Sequence, residues 1–256
     1  MTTLRLNPLP IGALLLLGIW PAARAETVIV AVATNFAVPL ETLAESFEAG
    51  THHELEIRSG STGLLYAQIV NGAPLDVFLA ADQERPRLLV EERRAEAGSR
   101  LTYAEGRLVL FTADPGYRDG LGLDVLESAE FRWLAIATPE LAPYGAAAEE
   151  TLRALGRWDA LQARLVRGNN IGATFAMAAT GNAELAFVAL SQAQTFDGPG
   201  AYVLVPDDLY APIRQDAVLL THAADNPAAR AFLEFLGGAE ARAIVESFGY
   251  RAPASK

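Results

Sequence analysis

The chain has 256 residues, of which 51% are hydrophobic and 20% are charged, and its formal net charge is -11 at pH 7. An acidic surface of this kind repels nucleic acid and anionic lipid, and the sequence contains no lysine and arginine cluster that could follow a row of phosphates. The absence of cysteine excludes a disulfide framework, a thiolate metal site and a lipid attached to cysteine. We therefore expect neither a nucleic-acid partner nor stable membrane insertion.

Residues 1–25 have the pattern of a cleavable secretory signal. Arg5 lies in a short basic start, an apolar run covers residues 11–20, and Ala-Arg-Ala at residues 23–25 precedes a cleavage site at Glu26. The alternative is a membrane anchor, but the apolar run is about half of the roughly 20 residues that a spanning helix needs. A secreted chain without an anchor is retained only in an enclosed compartment, so we expect the periplasm of a Gram-negative bacterium.

The first predicted strand covers residues 28–32 and runs into the turn Ala-Thr-Asn-Phe at residues 33–36. A helix follows, because Phe36, Leu40, Leu43 and Phe47 recur at the spacing of one helical face. This places Thr34 and Asn35 at the N-cap of the helix.

Further turns of the same kind occur at residues 59–63 (Ser-Gly-Ser-Thr-Gly) and 142–145 (Ala-Pro-Tyr-Gly). Each of these three turns leads from a predicted strand into a predicted helix. A glycine-rich segment at residues 168–173 (Gly-Asn-Asn-Ile-Gly-Ala) starts another predicted helix, and by itself it indicates only a turn. A helix start leaves up to four backbone N–H groups unpaired and carries about half a positive charge, so several starts aimed at one point would hold a dianion. The alternative is that these serines, threonines and asparagines are ordinary helix caps.

The rest of the chain alternates between strand-like and helical patterns, which predicts an α/β protein with mostly parallel sheets. The strand-like runs lie near residues 55–57, 77–80, 108–111, 134–137, 186–190, 202–205 and 218–220. No linker rich in serine and glycine separates two halves of the chain. This argues against two domains in tandem, and leaves open one large domain or two domains joined by crossing strands.

A family resemblance is evident in three parts of the sequence. They are the Ala-Thr-Asn-Phe turn, the Ala-Pro-Tyr-Gly turn and residues 66–82, which read Tyr-Ala-Gln-Ile-Val-Asn-Gly-Ala-Pro-Leu-Asp-Val-Phe-Leu-Ala-Ala-Asp. From about residue 27 to about residue 253, the chain resembles the periplasmic molybdate/tungstate-binding proteins of ABC importers. The resemblance implies a two-lobed periplasmic-binding-protein fold of type II, with helices flanking the sheets and two crossing strands as the hinge. Lobe 1 would comprise residues 26–105 and 216–256, and lobe 2 residues 106–215, with the crossings near residues 101–105 and 212–216.

The resemblance also implies a binding site. The turn at Thr34 and Asn35, the Thr62 hydroxyl and the backbone N–H groups of Tyr144 and Ile171 would donate to the anion, with Ser61 as a near neighbour. The metal would be held only as its oxyanion, without direct ligands from the protein. The implied partner is an inner-membrane ABC permease, the implied state is a monomer, and no cofactor is expected.

Thr62 stands where relatives usually have serine, which keeps the hydroxyl and adds a methyl group. A tyrosine that reaches the anion in another branch of the family is missing, because residues 187–190 read Phe-Val-Ala-Leu.

The residue types of the turns indicate the class of ligand independently of the resemblance. The turns contain donors but no aspartate or glutamate, and a carboxylate acceptor would suit a ligand that carries a proton, such as hydrogen phosphate. A fully deprotonated tetrahedral dianion is therefore favoured, and molybdate, tungstate and sulfate all qualify. Size would separate them, because a stretched buried hydrogen bond costs roughly 1–3 kcal/mol. A receptor for sulfate or another tetrahedral oxyanion is the alternative.

An enzymatic function finds little support in the sequence. His52 and His53 lie in a predicted loop and His222 follows a strand, but no metalloprotease, nucleophile-elbow or phosphate-loop motif occurs. Asp76 and Asp82 flank a strand and are interpreted as solvated strand ends. A secreted hydrolase built on Ser61 or Ser191 is the weaker hypothesis, and an adhesion module is weaker still because the chain has no repeats.

Overall fold

The computed structural model describes residues 25–117, 120–128 and 130–252. The predicted signal segment, up to residue 24, lies outside the described residues. In the described part of the chain, no helix combines the length and the apolar character needed to cross a membrane.

In the described residues, ten strands form two five-stranded sheets with helices on their faces. The strands are β1 (Thr27–Ala33), β2 (Glu54–Gly60), β3 (Val77–Leu79), β4 (Leu101–Gly106), β5 (Leu108–Thr112), β6 (Leu134–Ala137), β7 (Leu165–Gly168), β8 (Leu185–Ala189), β9 (Ala201–Leu204) and β10 (Ile213–Leu219). The α-helices are α1 (Ala37–Thr51), α2 (Thr62–Val70), α3 (Glu84–Glu91), α4 (Pro143–Ala154), α5 (Trp158–Leu161), α6 (Ile171–Ala179), α7 (Leu190–Gln194), α8 (Pro227–Leu236) and α9 (Ala239–Ser247). Short 3₁₀ turns connect several of them.

The strand order is β2-β1-β3-β10-β4 in the first sheet and β7-β6-β8-β5-β9 in the second. The chain passes from the first sheet to the second between β4 and β5, at Arg107, and returns in β10. These crossings agree with the two-lobed α/β fold expected from the resemblance, although the lobe boundaries in residue numbers stay a prediction.

Each sheet follows the predicted, mostly parallel arrangement, with four strands in one direction and one strand in the other. β1 pairs in parallel with β2 and β3, and β6 with β7 and β8, whereas β10 and β5 are antiparallel to both of their neighbours. β10 and β5 are the strands by which the chain enters a sheet from the other lobe. They start at the edge facing the other lobe, where the neighbouring parallel strands end, and must therefore run the opposite way.

The predicted apolar face of the first helix is confirmed. Phe36, Leu40, Leu43 and Phe47 are all buried, in one core with the valines of β1 and with Phe232 of α8. Burial of four large side chains of this kind contributes several kcal/mol of hydrophobic stabilisation, at about 25 cal/mol per Å² of apolar surface.

The start of this first helix differs from the prediction. The extended residue Ala33 is the cap, and Thr34 and Asn35 are the first two residues of a 3₁₀ turn, Thr34–Phe36, without a side-chain cap. The physical reason is that both side chains bond to distant parts of the chain instead of to their own helix end. Capping side chains are found one helix further on, where Ser61 accepts a bond from Leu64 N.

Candidate functional site

Four helical segments begin around one small cavity between the two sheets. The first residues of the 3₁₀ turn that precedes α1 and the starts of α2, α4 and α6 all contribute to its lining. All six residues predicted for the site lie in that lining, namely Thr34, Asn35, Ser61, Thr62, Tyr144 and Ile171. Residues up to 137 positions apart in the sequence are thus brought together because strand ends of both sheets meet there.

The cavity is small, and its lining carries no charged side chain. Its remaining lining residues in the described chain are Ala33, Gly60, Ala81, Ala142 and Pro143. The cavity volume is about 10 Å³. Such a space suits a small compact ligand, because sites for organic molecules usually measure about 300–1,000 Å³.

Backbone donors without a protein acceptor line this cavity. The N–H groups of Thr62, Tyr144 and Ile171 have no acceptor among the described residues, since their helices begin there and the neighbouring N–H groups are already bonded. Each helix adds a partial positive charge at the same place. The arrangement can therefore bind an oxyanion without a lysine or arginine.

A backbone hydrogen bond holds the hydroxyl of Thr62 in position. Thr62 is buried, and its Oγ1 accepts a bond of 3.0 Å from Ala81 N, which leaves its proton free to be donated. Ser61 is buried next to it, and its Oγ accepts a longer bond of 3.4 Å from Leu64 N. Both hydroxyls can act as donors towards a bound anion.

Thr34 joins the two lobes across the cavity. Its Oγ1 accepts a bond of 3.1 Å from Gly172 N at the start of α6. A second bridge lies on the other side, where Gly63 N donates to Leu141 O at 2.9 Å. A side chain could not be added at either glycine without a tight contact, because a Cβ at Gly63 would lie 3.1 Å from Leu141 O and one at Gly172 would lie 3.3 Å from Thr34 Cβ. The lobes are therefore in close contact.

Asn35 belongs to a buried polar cluster beside the cavity. Its Nδ2 donates to Gln215 Oε1 at 2.9 Å and to Tyr250 Oη at 3.0 Å, and its backbone oxygen accepts from Tyr250 Oη at 2.7 Å and from Ser191 Oγ at 3.0 Å. Tyr103 Oη also bonds to Gln215 Oε1, at 3.0 Å.

Sequence reasoning did not identify Gln215, Tyr250 or Tyr103, and it considered Ser191 only as a nucleophile. No local signal marks Gln215, because its neighbours Arg214 and Asp216 in β10 are polar as well.

Three phenols around the cavity are held in their neutral form. Burial raises the pKa of Tyr250 to about 12 and raises the pKa values of Tyr103 and Tyr144 well above the ordinary value. At neutral pH these tyrosines therefore place no negative charge beside a bound anion, and their hydroxyls remain donors.

The residues considered for catalysis have structural partners. Asp76 accepts a bond from Ile29 N at 2.8 Å and pairs with His222, while Asp82 binds Arg85 at the start of α3. Ser191 donates to a backbone oxygen. Within the described ranges, no group of three or more histidine, aspartate or glutamate side chains could hold a metal ion.

A larger groove of about 670 Å³ lies next to the cavity and shares Ala81 and Pro143 with it. Its lining includes the acidic residues Asp82, Glu84, Glu140 and Glu150 besides Arg85 and Arg214. Carboxylates in this number repel a dianion, so the groove is a poorer anion site than the uncharged cavity.

Comparisons with known proteins agree with this geometry. The sequence profile described as "Bacterial extracellular solute-binding protein" matches residues 28–251. The molybdate-binding protein ModA of Azotobacter vinelandii is 50% identical over 232 residues, which are 90% of this chain and 91% of that protein. The ModA of Rhodobacter capsulatus is 45% identical over 236 residues, 92% of each chain. The solved structure of the Azotobacter vinelandii periplasmic molybdate-binding protein aligns with a TM-score of 0.83 at 42% identity, covering 88% of this chain and 99% of that one.

Two lobes that enclose a small donor-lined cavity define a solute receptor. The chain belongs to the family of bacterial extracellular solute-binding proteins. The resemblance found in the sequence is thereby confirmed, and so is the prediction that the protein is not an enzyme, because its relatives are binding proteins.

The buried phenols predict how stability depends on pH. Tyrosine in the unfolded chain ionises near pH 10, whereas Tyr250 in the folded protein ionises near pH 12. Between these values the unfolded state holds fewer protons, so the contribution of Tyr250 to the free energy of unfolding is constant below about pH 10 and falls as the pH rises to about 12. Denaturant titrations from pH 8 to pH 12 measure this decline. The free energy of unfolding should fall less steeply with pH in Tyr250→Phe than in the unmodified protein. An equal fall in the variant and the unmodified protein would contradict the prediction.

Proposed function

We propose that this protein captures molybdate or tungstate and delivers it to an ABC permease in the inner membrane. The proposal is supported by the two relatives that are named as molybdate-binding proteins and by the site itself. The observation that carries it is the convergence of three unpartnered backbone N–H groups, at Thr62, Tyr144 and Ile171, on an uncharged cavity.

The donor set suits a dianion that carries no proton. A ligand such as hydrogen phosphate has a hydroxyl that needs an acceptor, and the lining of the cavity offers no carboxylate. Molybdate and tungstate have the same charge and nearly the same size. Sulfate has shorter bonds, so it would leave some donors with stretched hydrogen bonds, at roughly 1–3 kcal/mol for each buried bond that is lost.

Localisation and assembly form part of the proposal. Residues 1–25 serve as a cleavable signal, and the mature chain from Glu26 acts as a monomer in the periplasm of a Gram-negative bacterium. Binding uses hydrogen bonds to the oxyanion and requires no cofactor. The permease recognises the closed form, in which both lobes contact the anion.

Thermal melts with different anions test the proposed ligand. The mature chain is melted with molybdate, tungstate, sulfate, phosphate or no addition at the same ionic strength. A ligand at about 100 times its dissociation constant adds roughly 2.7 kcal/mol to the stability, which raises the melting temperature by several degrees. We expect a rise with molybdate and tungstate alone. An equal rise with sulfate would reassign the receptor to sulfate, and no rise with any anion would refute the site.

Substitution of Thr62 tests whether its hydroxyl donates to the bound anion. Thr62→Val removes a donor to the anion and also the acceptor of Ala81 N, so molybdate binding should weaken by roughly 1–3 kcal/mol in a calorimetric titration. Thr151→Val is the matched control, because Thr151 is equally buried but bonds only to Ala147 O within α4. If both variants bind molybdate as the unmodified protein does, Thr62 does not contact the ligand.

Gly63 provides a test of lobe closure. In Gly63→Ala the new Cβ would lie 3.1 Å from the backbone of Leu141 on the other lobe, so closure and molybdate affinity should both be reduced. The reduction should appear as a smaller ligand-induced compaction in X-ray scattering. Gly50→Ala is the control, since a Cβ at Gly50 meets nothing within 4 Å. Normal compaction and affinity in Gly63→Ala would show that this contact does not limit closure.

A further inference from the structure

Gln215 occupies a special position in the buried cluster beside the cavity. It is fully buried and lies on β10, the strand that returns from the second sheet to the first, next to an irregularity in the pairing of β10 with β4. Its side-chain amide contacts Asn35 and Tyr103 on one side and, at 3.4 Å, Tyr144 Oη at the start of α4 on the other. One side chain thus connects residues of both lobes.

The hydrogen bonds of Asn35 are incomplete. Its Nδ2 donates twice, whereas its Oδ1 is buried and has no donor among the described residues. Asn35 also lines the anion cavity. A buried carbonyl oxygen without a donor is unfavourable, and it becomes more so beside a dianion. An amide NH₂ group directed at the cavity would donate to the anion.

The hydrogen bonds of Tyr103, which contacts Gln215, are mismatched as well. Its Oη lies 3.0 Å from the carbonyl oxygen of Ala80 and 3.0 Å from Gln215 Oε1. Both neighbours are acceptors, and a phenol has one proton, so one of the two contacts is left unbonded. If the Gln215 amide turned over, its Nε2 would donate to Tyr103 Oη while Tyr103 donates to Ala80.

The two mismatches have one common solution. With Gln215 turned, Nε2 faces Asn35 and its Oε1 can accept from Tyr144 Oη. Asn35 then turns as well, its Oδ1 accepts from Gln215, and its Nδ2 is released from Gln215. Turning an amide changes little in shape, so the cost lies in the hydrogen bonds, chiefly the one from Asn35 Nδ2 to Tyr250 Oη.

We propose that Gln215 is a positioning residue of the anion site, which turns together with Asn35 so that Asn35 Nδ2 donates to the bound oxyanion. This inference rests on the proposed function, because it needs an anion in the cavity. Tyr144 contributes from the second lobe by donating to the turned Gln215, so the arrangement is complete only when the lobes are closed. Through these hydrogen bonds, Gln215 couples anion binding to closure of the lobes.

A double-mutant cycle tests this proposal. Gln215→Met keeps the approximate shape of the side chain but cannot bond to Asn35, and Asn35→Ala removes the group on which Gln215 acts. Molybdate dissociation constants are measured for the unmodified mature chain, both single variants and the double variant. Melting temperatures without anion report separately on any loss of stability. Gln83→Met is the matched control, because Gln83 bonds to Thr102 and Asp216 and does not line the cavity.

We expect Gln215→Met to weaken molybdate binding roughly tenfold, the loss of one buried hydrogen bond to a charged group. In the Asn35→Ala background the same change should weaken binding less than about twofold, because Gln215 acts through Asn35. Gln83→Met should bind as the unmodified chain does. If Gln215→Met does not fold, Gln215→Leu repeats the cycle.

Unchanged binding in Gln215→Met, or an equal loss in both backgrounds, would overturn the role of Gln215 while leaving the proposed function intact. An unmodified chain that binds no molybdate would instead refute the proposed function, and this proposal with it.

Discussion

The starts of four helical segments meet at one point, and much of the fold follows from this constraint. Partial positive charges that face one another repel, so the arrangement is stable only if an anion or polar groups fill the space between them. Both sheets direct the ends of their parallel strands towards that space. The reversed strands β5 and β10 are a consequence, because a chain that enters a sheet from the other lobe begins at the edge where the others end.

The closed arrangement depends on a few polar contacts between lobes. Thr34 bonds to Gly172, Gly63 bonds to Leu141, and Ser191 bonds to the backbone of Asn35. Each net hydrogen bond of this kind contributes only about 0.5–1.5 kcal/mol. The exposed ion pair between Arg251 and Asp207 also joins the lobes, and a surface pair contributes only about 0–1 kcal/mol. Because these contacts contribute so little free energy, the lobes can open again. A receptor that must release its ligand requires this reversibility.

The site and the rest of the protein have opposite electrostatic characters. The chain has a net charge of -11, whereas the cavity is lined by neutral residues, and burial keeps the phenols of Tyr103, Tyr144 and Tyr250 protonated. Attraction for an anion must therefore come from oriented backbone groups at short range. Discrimination then depends on geometry, since a fixed set of donors fits one size of tetrahedral ion better than another.

Local patterns in the sequence determined the elements that need no distant partner. The spacing of Phe36, Leu40, Leu43 and Phe47 was sufficient for the first helix, because helical periodicity is a local property. Three of the four turns were recognisable because helix starts favour small and hydroxyl residues. The prediction that these turns form one site came from the family resemblance of their sequence motifs and not from any periodicity.

Only the tertiary structure decided which distant groups meet. The roles of Gln215 and Tyr250 beside Asn35 depend on contacts over 180 and 215 residues, which no local pattern encodes. The same holds for Thr34, whose sequence position indicated a helix cap but whose hydroxyl accepts a bond from the other lobe. A buried polar side chain bonds to whatever the packed chain brings near it, so its partner is set by the fold and not by its neighbours in sequence.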